Sequence, residues 1–162
     1  MKARLIGFSC VSAALAADQI TKEAVLGNMD ALSLGVEVLP VLDLVYLRNP
    51  GISFGMLGGM PRWLLVLASL VIVGILLTWM WRTARPVVAT ALGLISGGAI
   101  GNIVDRVRLG AVTDFLDFHV GGYHWPAFNL ADVAIVCGAA LMLLDGVLAP
   151  GNVETRAGKE PS

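Results

Sequence analysis

Between Arg62 and Arg82 the chain runs for nineteen residues, WLLVLASLVIVGILLTWMW, without a single charge. As a helix rising about 1.5 Å per residue, such a run is about 28 Å long, close to the thickness of a bilayer's hydrocarbon core. Trp63, Trp79 and Trp81 stand just inside the two arginines, where amphipathic rings favour a membrane–water boundary. A helix with no polar stripe has no face to turn to water, so this one run places the chain in the membrane class. Composition agrees. Only 14% of the 162 residues are charged and 57% are apolar, whereas a soluble domain carries about a quarter charged residues. A net charge of −1 offers no basic surface for nucleic acid.

Three further stretches have the same character. Val87–Val104 (VVATALGLISGGAIGNIV) is one, and Ala127–Ala149, broken only by Asp132 and Asp145, is another. Leu5–Ile20 is the third, and it has two readings. Lys2 and Arg4 before an apolar run that ends at Ala17-Asp18 have the form of a cleavable secretion signal. The continuation DQITK instead extends a retained helix and places Asp18 and Lys22 four residues apart, where they can pair. The other spans favour the retained helix. The expected architecture is therefore an all-α polytopic protein of one domain over 1–149, with spans at about 5–24, 63–82, 87–104 and 127–149. The tail at 150–162, PGNVETRAGKEPS, is expected to be disordered. Cys10 and Cys137 lie in apolar stretches with no metal-site spacing and are expected to pack as small hydrophobes.

Arg82 and Arg85 in the short second turn, with Lys2 and Arg4, predict that both termini are cytoplasmic. On that topology nine acids fall on the outer side: Asp18, Glu23, Asp30, Glu37, Asp43, Asp105, Asp114, Asp117 and Asp132. The outer segment at about 25–62 is too long for a turn. Its part GVEVLPVLDLVYLRN is rich in Val, Leu and Tyr and predicts short strands, with Pro40 breaking one of them. NPGISFGMLGGMP reads as a loop or short surface helix. A small β element resting on the outer leaflet is the expected result.

The polar residues of the spans form clusters. Gly93, Gly97 and Gly101 repeat every four residues, a face that lets helices approach closely. Asn102, Asp105 and Arg106 share one helix face, as either a site or an interfacial salt bridge of Arg106 with Asp105 or a nearby acid. Asn129 can cap the fourth span, and Asp132 in its first turn suits the helix dipole. A cap explains Asn129 better than it explains Asp132, because an ionisable group in a span is costly and usually functional. Asp114 and Asp117 lie on the preceding loop, and either can return against Asp132. Two carboxylates held together share a proton and can activate water as base and protonate a leaving group as acid. His119 and His124 are read as interfacial. The chemistry these residues allow is aspartyl hydrolysis at one membrane face. A proton-coupled transporter would need its acids nearer mid-span. A structural subunit would keep the same acids as salt bridges only.

At these residues the chain resembles the lipoprotein signal peptidases, from about Leu5 to Ala149. DQITK is similar to the family's D-Q-x-x-K, NPGISF to N-x-G-x-[AS]-F, GGAIGNIVDR to G-G-A-x-G-N-x-x-D-R, VTDF to V-x-D-F and FNLAD to F-N-x-A-D. Each is weak alone, but five in order on four spans are specific. Thr113 departs from an expected aliphatic residue. The resemblance implies a catalytic pair of Asp114 and Asp132, with Asp117 outside it. It implies supporting and substrate-binding roles for Asp18, Lys22, Asn49, Gly51, Asn102, Arg106 and Asn129, and an outer partner role for Asp105. The implied reaction removes a signal peptide just before a cysteine bearing a diacylglyceryl group, with no metal or cofactor. The implied setting is the bacterial inner membrane with the site at the periplasmic face. Partners would be the lipidated prolipoprotein and membrane lipids, not nucleic acid, and a monomer is expected. Ile52 and Phe54 in the outer segment are expected to close over the substrate.

Overall fold

A computed structural model describes residues 1–51 and 62–148. The expectations for Ile52, Phe54 and the tail lie outside the described residues. Four long helices follow the four apolar runs: α1 (Lys2–Leu26), α3 (Arg62–Arg82), α4 (Pro86–Arg108) and α5 (Leu130–Leu148), with a single turn α2 (Met29–Leu32) after the first. All four long helices are long and apolar enough to cross a membrane.

Helix α4 is the hub. More than half of its apolar window, 56%, is buried, against 22%, 17% and 11% for α1, α3 and α5, so the other three pack around it. Its small residues make this possible. A Cβ on Gly97 would lie 2.6 Å from the carbonyl oxygen of Val11 in α1, and one on Gly98 would collide with the carbonyl oxygen of Ala131 in α5. Gly93, Gly97 and Gly101 thus form the predicted face, against α1, and Gly98 with Gly138 of α5 lets the other neighbour approach. Where large side chains do meet, Met80, Ala89 and Leu92 form a sealed core with Ala3 and Val88. The outward residues of α3, among them Leu67, Val71 and Ile75, are exposed, as a lipid-facing surface should be.

The expected small β element is present beside the helices, and it is larger than the outer segment at 25–62 alone. Four strands, β1 (Val36–Leu39), β2 (Leu42–Asn49), β3 (Val112–Val120) and β4 (Tyr123–His124), form an antiparallel sheet in sequence order. Pro40 breaks the β-run as expected, at the two-residue turn between β1 and β2. Gly121 and Gly122, both at positive φ, close the β3–β4 hairpin. The segment holding Asp114 and Asp117, read from sequence as a loop, is strand β3. VTDFLDFHV has the β-branched and aromatic content of a strand, and it pairs with β2, more than sixty residues away, which no local window shows. Helix boundaries also differ: α1 runs from Lys2 to Leu26, beyond the expected 5–24 at both ends. α4 continues past 104 to Arg108 and so carries its polar face further. α5 starts at Leu130 rather than 127, because Phe128 is bound to the sheet.

Helix polarity sorts the ends of the bundle. The end of α1, the end of α4 and the start of α5 meet at one pole, against the sheet. At the opposite pole Arg4 donates to the Trp81 carbonyl at 2.8 Å and stacks on its ring, and Arg85 pairs with Asp145 at 2.7 Å.

Candidate active site

Asp114 and Asp132 reach each other through one residue, Asn129. Its position follows from the sheet. The backbone N–H of Leu116 donates to the Phe128 carbonyl at 2.9 Å, and the N–H of Phe128 donates back to the Leu116 carbonyl at 3.0 Å. This docks FNLAD onto VTDFL and leaves Asn129 beside Asp114. Asn129 then does two things at once. Its Oδ1 accepts from the Asp132 backbone N–H at 3.1 Å, and Asp132 Oδ2 accepts from the Asn129 backbone N–H at 3.2 Å. That is a reciprocal cap on the first turn of α5. Its Nδ2 donates to Asp114 Oδ1 at 2.6 Å. Cap and site, alternatives in the sequence, are one structure.

Each of the four carboxylate oxygens has a donor. Asp114 Oδ2 accepts from Asn49 Nδ2 at 3.0 Å, and Asp132 Oδ1 accepts from Asn102 Nδ2 at 2.9 Å. Asn49 stands near Asp114 because β2 pairs with β3, with Asn49 opposite Val112 and Leu47 opposite Asp114. A bulge between Leu44 and Leu47 re-aims this end of β2, a common device beside functional sites. Asp114 is buried, at 4% exposure. Burial pushes its carboxyl from the ordinary 3.8 up to about 6. Hydrogen bonds from Asn49 and Asn129 resist this rise, the Asp132 carboxylate adds to it, and the Lys22 ammonium opposes it.

Behind this pair lies a sealed polar cluster from three helices. Lys22, 1% exposed, donates to Asn102 Oδ1 at 2.9 Å and pairs with Asp18 at 3.0 Å and Asp105 at 3.3 Å. The predicted pairing of Asp18 with Lys22 is present. The predicted alternative pairing of Asp105 with Arg106 is not, because Asp105 faces Lys22 and the Thr113 backbone N–H, 2.9 Å away. Thr113 enters this cluster through its backbone. Asp18 Oδ1 accepts from the Ala131 N–H at 2.9 Å, tying α1 to the start of α5. Gln19 was missed in the sequence. Its amide lies 3.1 Å from Asp18 and 3.3 Å from Asp105. Its place within DQITK, next to Asp18, was the available signal.

In front of the pair is a cavity of about 550 Å³. Its lining combines polar groups, Asn49, Asn102, Arg106, Asp114 and Asp132, with apolar ones, among them Trp125, Pro126, Phe128, Val133 and Val136, and Gly51. Arg106 approaches the backbone oxygens of Gly51 and Asn102, both at 3.4 Å. Cys137, expected to be packed inside, is exposed and lines this cavity instead. It lies on the side of α5 that carries Val133, which α4 does not cover. Asp117 is elsewhere. Three residues from Asp114 on a strand puts it on the opposite face, where it binds His124 at 2.8 Å. His119 lies 3.3 Å from Asp43 on that sheet and stacks on His124.

Similarity to known proteins covers all of these elements. A family described as Signal peptidase (SPase) II matches residues 10–148. A lipoprotein signal peptidase of Beijerinckia indica is 42% identical over 149 residues, spanning 90% of this chain and 89% of the relative. One from Oleidesulfovibrio alaskensis is 45% identical over 136 residues, spanning 80% and 86%. The solved structure of a bacterial membrane enzyme aligns over 94% of both chains with a TM-score of 0.81 at 28% identity.

Proposed function

The chain belongs to the signal peptidase II family, and from that premise we propose that it is an aspartic endopeptidase whose paired acids are Asp114 and Asp132. It is a multi-pass membrane peptidase, and its substrates are lipoproteins. The observation that carries the aspartic mechanism is Asn129, which caps Asp132 with its oxygen and holds Asp114 with its amide nitrogen. Two carboxylates bridged this closely share one proton and titrate as a unit. The raised Asp114 carboxyl supports that reading.

One carboxylate takes a proton from water as the water attacks the peptide carbonyl. The other gives its proton to the reacting peptide, and on collapse the new amine leaves protonated by the pair. Asn49, Asn102 and Asn129 hold the acids in place. Gly51 and Arg106 line the cavity where the peptide lies, and Asp18, Lys22 and Asp105 brace the cluster from behind. No metal or other cofactor takes part.

The bond cleaved is the one just before a cysteine bearing a diacylglyceryl group. A cavity lined by both polar and apolar side chains suits a peptide bond held where lipid meets water. The termini are cytoplasmic, the pole with the sheet is periplasmic, and the enzyme works as a monomer in the inner membrane. Lys2, Arg4, Arg82 and Arg85, all within the N-terminus and the short α3–α4 turn at the opposite pole, support this orientation.

The test is direct. Purified protein is given a prolipoprotein with and without the diacylglyceryl group, and cleavage is followed as a size shift. Only the lipidated substrate is cut. Asp114→Asn and Asp132→Asn, folded, do not cut it, whereas Asp117→Asn does. Cleavage by either of the first two variants removes the pair from the mechanism.

A further inference from the structure

Lys22 contacts neither Asp114 nor Asp132, yet its ammonium is sealed from water and points at the amide between them and the rest of α1. An ammonium has three donors and no acceptor. Here the three donors meet three acceptors: Asp18 Oδ2, Asp105 Oδ2 and Asn102 Oδ1. The Asn102 amide can therefore turn only its oxygen toward Lys22. The same oxygen takes a second donor, Asn129 Nδ2, at 3.3 Å. The Asn102 nitrogen is left to donate to Asp132 Oδ1 at 2.9 Å. Turning the amide over would set its NH2 against two donors and its oxygen against a carboxylate.

We propose that Lys22 is a positioning residue that fixes the orientation of the Asn102 amide and thereby aims a hydrogen-bond donor at Asp132. This inference rests on the Asp114–Asp132 pair proposed above. The bland alternative is that Lys22 only neutralises buried Asp18 and Asp105. Both roles affect stability, so stability cannot separate them. The charged groups facing this cluster are Asp18 and Lys22 from α1, Asp105 and Arg106 from α4, Asp114 from β3 and Asp132 from α5. Loss of the ammonium removes both a charge and a donor. Replacement by glutamine removes the charge and keeps a donor.

The experiment measures kcat and KM for lipidated prolipoprotein from pH 5 to 9 with the full chain in detergent, with thermal unfolding as the check on folding. Lys22→Met is expected to lower kcat about 100-fold with KM changed less than about threefold, because Asn102 can now turn its oxygen to Asp132. The alkaline limb should also move upward, but loss of the ammonium facing Asp114 does that by itself, so kcat is the deciding readout. Lys22→Gln is expected to recover about tenfold of that loss. A folded Lys22→Met that keeps its kcat overturns the proposal, and so does a Lys22→Gln no better than Lys22→Met. If Lys22→Met does not fold, Asn102→Asp decides. It keeps an acceptor for Lys22 but faces Asp132 with a second carboxylate, so kcat should collapse in folded protein, and retained kcat overturns the role. Failure of the pair itself looks different: Asp114→Asn or Asp132→Asn would still cleave.

Discussion

Asn129 carries two jobs on one side chain, and its two atoms can be separated by mutation. Asn129→Asp keeps an oxygen for the Asp132 N–H and so keeps the cap. It replaces the donor to Asp114 with a like charge. The expected result is a folded protein with kcat lowered by about 100-fold or more, read in the cleavage assay. Asp114 makes a second prediction, in pH. Its carboxyl is raised from 3.8 to about 6, so protonated Asp114 favours the folded state. That contribution is complete below pH 4 and is lost as pH rises through 6. A shift of this size corresponds to at most about 3 kcal/mol. The melting temperature of the parent should therefore fall relative to Asp114→Asn between pH 4 and 6.5 and hold a constant difference above. A difference that does not change across that range would show that Asp114 titrates normally.

At the scale of elements, close helix contact places the site. Asp132 sits at the start of α5, and α5 lies against Gly98 of α4 at the Ala131 carbonyl. Gly98→Ala should force the two helices apart, cost about 1–3 kcal/mol as overpacking does, and weaken cleavage by moving Asp132 from Asn102. Gly74→Ala in α3 is the matched control. Nothing lies within 4 Å of its added Cβ, so melting temperature and activity should be unchanged. Equal loss in both variants would mean that helix approach is not what holds the site.

For the whole molecule, the sheet and the paired acids share one pole, and Arg4, Arg82 and Arg85 lie at the other. In a background with Cys10 and Cys137 replaced by alanine, a cysteine at Ser33 should react with a membrane-impermeant maleimide on intact inner-membrane-exposed cells. A cysteine at Thr83 should react only after the membrane is opened. The reverse pattern would invert the proposed orientation and put the site on the cytoplasmic side.

What a bilayer demands of a chain is local: enough consecutive apolar residues to span it, and charges kept near the ends. For that reason the sequence alone determined the four spans, the close-packing glycines of α4 and the gathering of acids at one pole. The same locality made Pro40 readable as a break and Asp18–Lys22 readable as a pair four residues apart. Strand β3 was not legible, because a strand is settled by its partner, and β2 lies beyond two membrane helices. With the strand went the parity that turns Asp114 and Asp117 to opposite faces, so local sequence left both open. Cys137 looked like a packing residue because apolar composition does not say which side of a helix a neighbour leaves bare. Only the tertiary structure brought Phe128 onto Leu116, Asn129 between the acids and Lys22 behind Asn102. Those hydrogen bonds join residues up to 80 positions apart, and their directions follow from which donors and acceptors meet in space, which no window of sequence contains.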